Sequence, residues 1–389
     1  MFLKKYLFIL LLSSPAWGQQ SPQFEAQLLD SNVQIGYGLA IGDVDGDKKP
    51  DILLADKKQF VWYRNGDWKR FVLAENLTEQ DNVCIAARDI DGDGKVEIAV
   101  GAQWNPGETS DTTKSGSVHY LVRPGDITQP WKPVKLHHEP TIHRMRWIRT
   151  GSNTYQLIVL PLHGRGNKDG QGEGVKVLAF DVPKNKSAAW KYQVIDQSMH
   201  MTHNFDVWDA QGTTPATLLI GGKEGIKRIV FEKGKWTAAQ KPWAVQNYSL
   251  GEVRTGYLQN KQPFIAGIEP MHGNLLAVYP VNNPEARKVL YEEMNQGHGL
   301  AFADLLQLGY GQILVGWRNP DKNNKVGLKL FVPSDAQGTS WKDFWIDNNG
   351  MACEDLQVAD LDGDGKLDII AAGRATNNLK IYWNKNTSK

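Results

Sequence analysis

Short apolar runs separated by turn residues recur along this chain as a four-strand unit that can be placed seven times. Each unit has a first strand ending near an aspartate, a second strand ending in glycine, a third strand, and a fourth strand that often begins with tryptophan. Ile52–Ala55 and Ile98–Gly101 are examples of second strands, and Phe60–Tyr63 is a third strand. Such regularly spaced short strands predict an all-β protein built from repeated antiparallel units.

The last unit lacks a fourth strand, because the chain ends soon after its third strand, Leu379–Trp383. The segment Phe24–Asp30 has the pattern of the fourth strands that begin at Trp190 and Trp341. An N-terminal strand that completes the C-terminal blade removes the open edge of a propeller. We therefore predict a single seven-bladed β-propeller over residues 19–389, closed by this strand.

Acidic loops follow the first strands of units one, two and seven. Carboxylates at loop positions 1, 3, 5 and 9, with glycines that permit a sharp turn, are typical of a short loop that wraps a hard cation. Strands flank these loops, unlike the helices of an EF-hand, so we expect structural calcium on β-turns. The first loop is expected to bind most weakly, because Lys48 replaces a glycine there. The expected ligands are Asp43, Asp45, Asp47, Asp51, Asp89, Asp91, Asp93, Glu97, Asp360, Asp362, Asp364 and Asp368.

These loops resemble those of the FG-GAP/VCBS-repeat propellers, which include the integrin α-subunit head and many secreted bacterial proteins. The resemblance is strong in units one, two and seven and is only architectural in units three to six. It implies the propeller fold. Because many functions occur on this fold, it implies no particular activity.

The N-terminus and the charge restrict location and partners. Residues 1–18 have the pattern of a signal peptide, with Lys4 and Lys5 before the apolar run Tyr6–Leu12. We therefore expect a secreted or periplasmic protein, and no later segment is apolar enough for a membrane span. A formal net charge of +1 provides no polybasic field, which argues against nucleic acid as a partner. The oligomeric state is left open.

Polar residues recur at the start of the first strands. Six residues before the end of each first strand, the chain has Tyr37, Val83, His143, His203, Glu252, His298 and Glu354. The loops after the second strands, expected on the same face, carry Trp104, His163, Lys223, His272, Arg318 and Arg374. A single histidine at such a position more often caps the end of a strand than belongs to a functional site. Polar residues at equivalent positions in five blades, however, favour a shared site at one mouth of the channel.

This residue set is compatible with two kinds of chemistry. Imidazoles with a carboxylate and an open position suit zinc or a similar transition metal, and His143, His203 and His298 are the candidate ligands. Without a metal, a histidine would act as general base while arginines neutralise an anionic substrate. The candidate catalytic residues are His163, His272, Glu252, Glu354, Arg318 and Arg374. The candidate substrate-binding residues are Tyr37, Trp104, Lys223 and Trp317.

The segment Glu139–Trp147 and the two loops Leu162–Gly164 and Met271–Gly273 resemble the propeller module of the aldos-2-ulose dehydratases. This resemblance implies a carbohydrate ligand and the removal of water, or of a glycosidic leaving group, β to a sugar carbonyl. A Lewis acid would stabilise the enolate, and His163 or His272 would take the α-proton. Arg318 and Arg374 would bind the substrate.

The alternative function is a non-catalytic module, stabilised by calcium, that binds a glycan or a protein. Metal content separates the two hypotheses. Calcium alone favours the binding module, whereas a stoichiometric transition metal favours the enzyme.

Overall fold

The computed structural model describes residues 21–239 and 245–387, and these residues form strands and turns without a helix. No helix in this part of the chain could therefore cross a membrane. The predicted signal peptide, residues 1–18, lies outside the described residues.

The first half of the chain forms the closing strand and three blades. The first strand is β1 (Phe24–Asp30), and the blades then follow in chain order. Blade 1 contains β2 (Gly38–Gly42), β3 (Asp51–Ala55), β4 (Gln59–Tyr63) and β5 (Arg70–Glu75). Blade 2 contains β6 (Cys84–Arg88), β7 (Glu97–Ala102), β8 (Ser117–Val122) and β9 (Lys132–Leu136). Blade 3 contains β10 (Ile142–Gly151), β11 (Thr154–Pro161), β12 (Val177–Asp181) and β13 (Lys191–Asp196).

The second half forms the remaining four blades. Blade 4 contains β14 (Thr202–Trp208), β15 (Ala216–Gly222), β16 (Gly225–Glu232), β17 (Lys235–Ala238) and the short β18 (Val245–Gln246). Blade 5 contains β19 (Glu252–Tyr257), β20 (Pro263–Glu269), β21 (Leu275–Pro280) and β22 (Lys288–Tyr291). Blade 6 contains β23 (Asn295–Ala303), β24 (Gln312–Asn319), β25 (Gly327–Pro333) and β26 (Trp341–Asn348). Blade 7 contains β27 (Cys353–Ala359), β28 (Asp368–Gly373) and β29 (Asn378–Asn384).

The seven sheets confirm the predicted propeller and its closure. In blade 7 the strand order is β1-β29-β28-β27, so the N-terminal strand supplies the outer strand of the last blade. The two strands are antiparallel, with Phe24 opposite Asn384 and Gln27 opposite Ile381. The innermost strands contact one another in a closed cycle, from β2 through β6, β10, β14, β19 and β23 to β27 and back to β2. This ring of strands encloses the central channel.

Burial explains why some strands are continuously apolar and others are mixed. Every residue of β3 and β7 is buried, because the second strand of a blade has a neighbouring blade on both faces. Outer strands such as β13 are mostly exposed and carry polar residues. The core therefore lies between blades. Trp62 of blade 1, for example, belongs to the same buried cluster as Ile98 and Leu121 of blade 2. Burying one such large side chain stabilises the fold by about 2 kcal/mol.

Candidate active site

The inner strands begin with irregularities that direct side chains into the channel. The pairing register shifts between Ile142 and Arg144 in β10, and between Gly297 and Gly299 in β23. A β-bulge inserts an extra residue and re-aims the side chains next to it. His143 and His298 are the residues inside these two shifts, and the shift in β14 contains His203. The acidic loops lie at the opposite ends of the inner strands.

Three histidines from three successive blades form one cluster. His203 begins blade 4, His298 begins blade 6, and His272 lies in the loop after β20 of blade 5. Each offers a nitrogen that lies within 4.8 Å of the other two. The ring centroids of His203 and His272 are 4.3 Å apart, and those of His272 and His298 are 4.9 Å apart. The cluster therefore contains His272, which the sequence assigned as a base, and lacks His143, which the sequence assigned as a ligand.

Hydrogen bonds at Nδ1 determine which nitrogen of each ring faces the cluster. Nδ1 of His203 donates to the carbonyl oxygen of Gly251 at 3.0 Å and lies 3.2 Å from the Glu252 carboxylate. Nδ1 of His298 donates to the carbonyl oxygen of Glu354. In the neutral ring Nε2 then carries a lone pair, and such outer hydrogen bonds are how metal-binding histidines are oriented. Both acceptors belong to the next blade, so ring closure orients these two imidazoles.

Burial keeps these imidazoles uncharged. It lowers the pKa of His143, His203, His272 and His298, and the positive charge of Arg144 acts in the same direction. Burial alone would raise the pKa of Glu252, but its hydrogen bond with His203 and the charge of Arg254 outweigh burial and lower it to about 2. Neutral imidazoles next to an ionised carboxylate are the protonation states that a metal site requires.

His143 lies beside the cluster. Its ring is stacked on Trp104, with centroids 4.9 Å apart, and lies 4.5 Å from the ring of His203. Neither ring nitrogen has a hydrogen-bond partner among the described residues, although the residue is only 5% exposed. A buried, neutral imidazole without a partner is available to bind or to take a proton.

The far side of the mouth carries arginines around Glu354. The Glu354 carboxylate is 3.4 Å from Nη1 of Arg318 and 3.4 Å from Nη1 of Arg374. The Arg374 guanidinium also lies over the Tyr37 ring, at 5.6 Å from the centroid. The Tyr37 hydroxyl donates to Asp81 at 3.2 Å. Burial, then the charge of Asp81, raises the pKa of Tyr37, so this hydroxyl stays protonated.

One sequence-based expectation about the mouth is wrong. Trp317 is fully buried, and its indole nitrogen donates to the Lys325 carbonyl oxygen, so it is a core residue of blade 6 and cannot bind a substrate. The histidines at the mouth are themselves buried, since His203 and His298 are 0% and 3% exposed. Residues at a propeller mouth are covered here because the bulges turn them inward.

His163 and Lys223 are at the same face but outside the cluster. His163 forms a β-bridge with Met201, is partly buried and has no partner at Nδ1 within the described chain. Burial lowers its pKa. Lys223 is exposed and donates to the carbonyl oxygen of Asp169 at 2.7 Å. Neither makes a ring contact or hydrogen bond with the three histidines in the described structure.

Position-by-position reading of the sequence missed Arg144, Asn204 and Asp355. They follow bulge residues directly and line a small cavity in the channel, of about 30 Å³, under the histidines. Asn204 donates to both oxygens of Glu252, at 3.0 and 2.8 Å. The sequence signal for Arg144 was the presence of three arginines, Arg144, Arg146 and Arg149, in one inner strand.

The acidic loops bring carboxylates together in groups of three. The groups are Asp43, Asp45 and Asp51; Asp89, Asp91 and Glu97; and Asp360, Asp362 and Asp368. The last carboxylate of each loop is buried and accepts loop N–H groups, as Asp51 does from Val44 at 2.7 Å. Burial raises the pKa of Asp51 to about 7, a cost that a bound cation would offset.

The fifth loop position does not belong to these groups. Asp47 accepts the Lys49 N–H at 2.8 Å, Asp93 pairs with Arg123 at 2.8 Å, and Asp364 pairs with Lys366 at 2.8 Å. In the second loop, Lys186 of blade 3 also lies 2.5 Å from Asp91 and 2.9 Å from Glu97. The Lys186 ammonium group therefore contacts two of the expected calcium ligands of this loop.

Comparison with known families agrees with this architecture. Residues 43–100 match an FG-GAP-like repeat, and residues 85–121 match the FG-GAP repeat. Two solved structures share the fold with a TM-score of 0.58. One is BBS1N in complex with ARL6DN, soaked with mercury (11% identity, 94% of this chain and 97% of that chain). The other is a chain of the mitotic checkpoint complex (12% identity, 99% of this chain and 100% of that chain). The protein is a seven-bladed β-propeller, and residues 43–121 of its first two blades match FG-GAP repeats.

A more particular similarity covers blades 3 to 5, which carry two of the three clustered histidines. Residues 115–282 match the β-propeller domain of aldos-2-ulose dehydratase, a range that includes His143, His203 and His272. The aldos-2-ulose dehydratase of Phanerodontia chrysosporium is 20% identical over 269 residues. The match covers 64% of this chain and 29% of that enzyme, so the chain corresponds to less than a third of its relative.

Proposed function

We propose that this protein is a carbohydrate-active propeller and that its channel mouth is a metal-assisted lyase or dehydratase site for a keto-sugar or glycoside. The observation that carries the proposal is the convergence of three neutral histidines from blades 4, 5 and 6. The match to the propeller domain of a sugar dehydratase supports the choice of reaction class.

The residues that would hold a metal are His203, His272 and His298. Three imidazoles with an open fourth position are a common zinc donor set. The Nε2 atoms of His203 and His272 face each other at 2.5 Å, so one ion could be bound by both. A zinc ion there would supply positive charge next to the sugar carbonyl oxygen.

The general base that the geometry favours is His143 rather than His163 or His272. Its ring is neutral, unpartnered and adjacent to His203, whereas His272 would be a ligand and His163 makes no contact with the cluster. His143 would take the proton α to the carbonyl, and the carbon–oxygen bond at the β-position would then break. The imidazolium would return the proton to the leaving hydroxyl, releasing water.

Other rim residues would orient the substrate. Trp104, stacked on His143, presents a partly buried indole face of the type on which sugars stack. Arg318 and Arg374, both in contact with Glu354, would bind polar groups of the substrate. Glu252 would keep His203 oriented through its Nδ1 contact at 3.2 Å.

The test is the metal content of histidine variants. Asparagine keeps a donor near the position of Nδ1 but removes Nε2, so H203N, H272N and H298N should fold and lose a zinc that the wild type holds at one equivalent per chain. His200, which is partly exposed and pairs with Glu224 at 2.9 Å, provides the matched control H200N. Zinc retained in all three variants would contradict the site. Activity would be followed as the formation of an unsaturated ketone from a keto-sugar.

A non-catalytic glycan- or protein-binding module is the second candidate. The observation that favours it is the limited correspondence with the dehydratase, of which this chain covers 29%. Calcium without a stoichiometric transition metal would support it.

We also propose calcium in the acidic loops and export of the protein after removal of residues 1–18. Amino-terminal sequencing of the exported protein should then begin at Gln19.

A further inference from the structure

The channel mouth contains more positive than negative charge. Three arginines, Arg144, Arg318 and Arg374, face it, and Glu354 is the carboxylate in ion-pair contact with the last two. Glu252 is engaged by Arg254 at 3.2 Å and by His203. The neutral histidines add no compensating charge. An excess of guanidinium groups in a covered site favours an anionic ligand.

Arg144 is the least compensated of the three. It is 7% exposed, and its Nη1 contacts only the carbonyl oxygens of Tyr37 at 3.2 Å and Val83 at 3.5 Å. Its Nε has no hydrogen-bond partner, and no carboxylate of the described residues is in ion-pair contact with it. Asp355, which lines the same cavity, instead accepts the N–H of Leu39 at 2.7 Å. Asp355 and Glu252 act on Arg144 through space but not through an ion-pair contact, so its guanidinium retains donors for a further anion.

Arg318 and Arg374 hold Glu354 loosely. Both distances are 3.4 Å, whereas a good charge-assisted hydrogen bond is about 2.8 Å long. Nε of Arg318 is buried and has no partner within the described chain. The Arg374 side chain is 42% exposed, so it reaches the solvent side of the mouth. Both guanidinium groups therefore retain donors that a second carboxylate can use.

We propose that the channel mouth recognises sugar acids, with the carboxylate of the ligand bound by Arg318 and Arg374 and with Arg144 supplying positive potential from below. The sugar part of this inference rests on the proposed function, and the acidic part rests on the arginines alone. A planar carboxylate matches the fork of a guanidinium. Phosphate is the less favoured anion, because the described residues offer no helix N-terminus, a common source of phosphate-binding N–H groups.

Calorimetric titration of the full-length protein with glucuronate, glucose and glucose 6-phosphate tests the proposal. Glucuronate should bind at least tenfold more tightly than glucose. R318Q and R374Q should each remove most of that preference, because they should weaken the binding of glucuronate by a much larger factor than the binding of glucose. R165Q is the matched control, because Arg165 also lies in a loop after a second strand, pairs with Glu139 at 2.8 Å and has a side chain that is 40% exposed. Equal affinities for glucuronate and glucose, or tighter binding of glucose 6-phosphate, would overturn the proposal.

The same titrations with zinc-loaded and chelator-treated protein separate this inference from the proposed function. A preference for glucuronate that survives without any bound zinc would support the acidic site even if the metal site fails. Zinc bound to the three histidines without a preference for glucuronate would overturn the acidic site alone. R144K keeps the charge and is expected to keep the preference. R144Q should weaken glucuronate binding severalfold, and an unchanged affinity in a folded R144Q protein would remove Arg144 from the site.

Discussion

Nε2 of His203 lies 2.5 Å from Nε2 of His272, although the residues are 69 positions apart in the chain. His203 stands at the start of an inner strand and His272 in the loop that follows β20 of the next blade. Because Nδ1 of His203 already donates to Gly251, the two Nε2 atoms face each other across the site. A residue at the start of a strand and a residue in a loop of the next blade therefore offer their nitrogens to the same site.

His143 and His272 should exchange the roles that the sequence suggested. H272N should lose bound zinc, because a ligand nitrogen is removed. H143N should keep one equivalent of zinc and lose activity by roughly 100-fold or more, the usual contribution of a general base. Metal analysis and single-turnover rates on a keto-sugar would measure the two effects. Loss of zinc from H143N would instead make His143 a ligand.

Lys186 should control how strongly the second acidic loop responds to calcium. In the absence of the ion its ammonium neutralises Asp91 and Glu97, so K186M should lower the melting temperature of chelator-treated protein more than that of calcium-loaded protein. Differential scanning calorimetry with and without a chelator measures the difference. Lys184, which is in no salt bridge of the described structure, provides the control K184M. The same chelator effect in wild type and K186M would show that Lys186 does not occupy the ion's place.

Alanine variants of Trp317 and Trp104 should differ in effect, because Trp317 is needed for stability and Trp104 for sugar binding. W317A removes a fully buried side chain and should lower the free energy of unfolding by about 3 to 5 kcal/mol. W104A removes a partly buried ring at the mouth and should cost much less stability while weakening sugar binding. Denaturant unfolding and titration calorimetry compare the two variants. A larger stability loss in W104A would mean that its stacking on His143 serves mainly to hold the fold together.

Stability should fall in mild acid because of buried histidines. Burial lowers the pKa of His119 to about 4 from an ordinary value of 6.5, and the charge of Lys135 adds to this effect. Between these two values the unfolded chain binds the proton more readily, so acid favours unfolding. His119 alone would contribute at most about 3 kcal/mol of lost stability at pH 4.

A His119→Leu variant tests this assignment. It should lose stability less steeply than the wild type between pH 6.5 and pH 4, as followed by urea unfolding at each pH. A parallel dependence in both proteins would assign the acid sensitivity to the other buried histidines.

The sequence was sufficient for the architecture because the determinants of a blade are local. The aspartate spacing and the apolar second strands mark each unit, and the likeness of Phe24–Asp30 to the outer strands predicts closure of the ring. The structure confirms that this segment pairs with β29 in the last blade. These features depend on the alternation of apolar and polar residues and on the residue types in turns, and both can be recognised in a short stretch of sequence.

The arrangement of the mouth depended on the tertiary structure. The sequence by itself determined which residues stand near the starts of the inner strands, and it therefore placed His143, His203 and His298 at one end of the channel. Only the folded ring decided that His272 joins His203 and His298, because loop and strand residues meet across blades at distances that no local pattern encodes. The bulges likewise brought Arg144 into the channel, and the packing of blade 6 buried Trp317. A one-residue change in register reverses the direction of a strand side chain, so this choice is made by the packed sheets rather than by the order of residues.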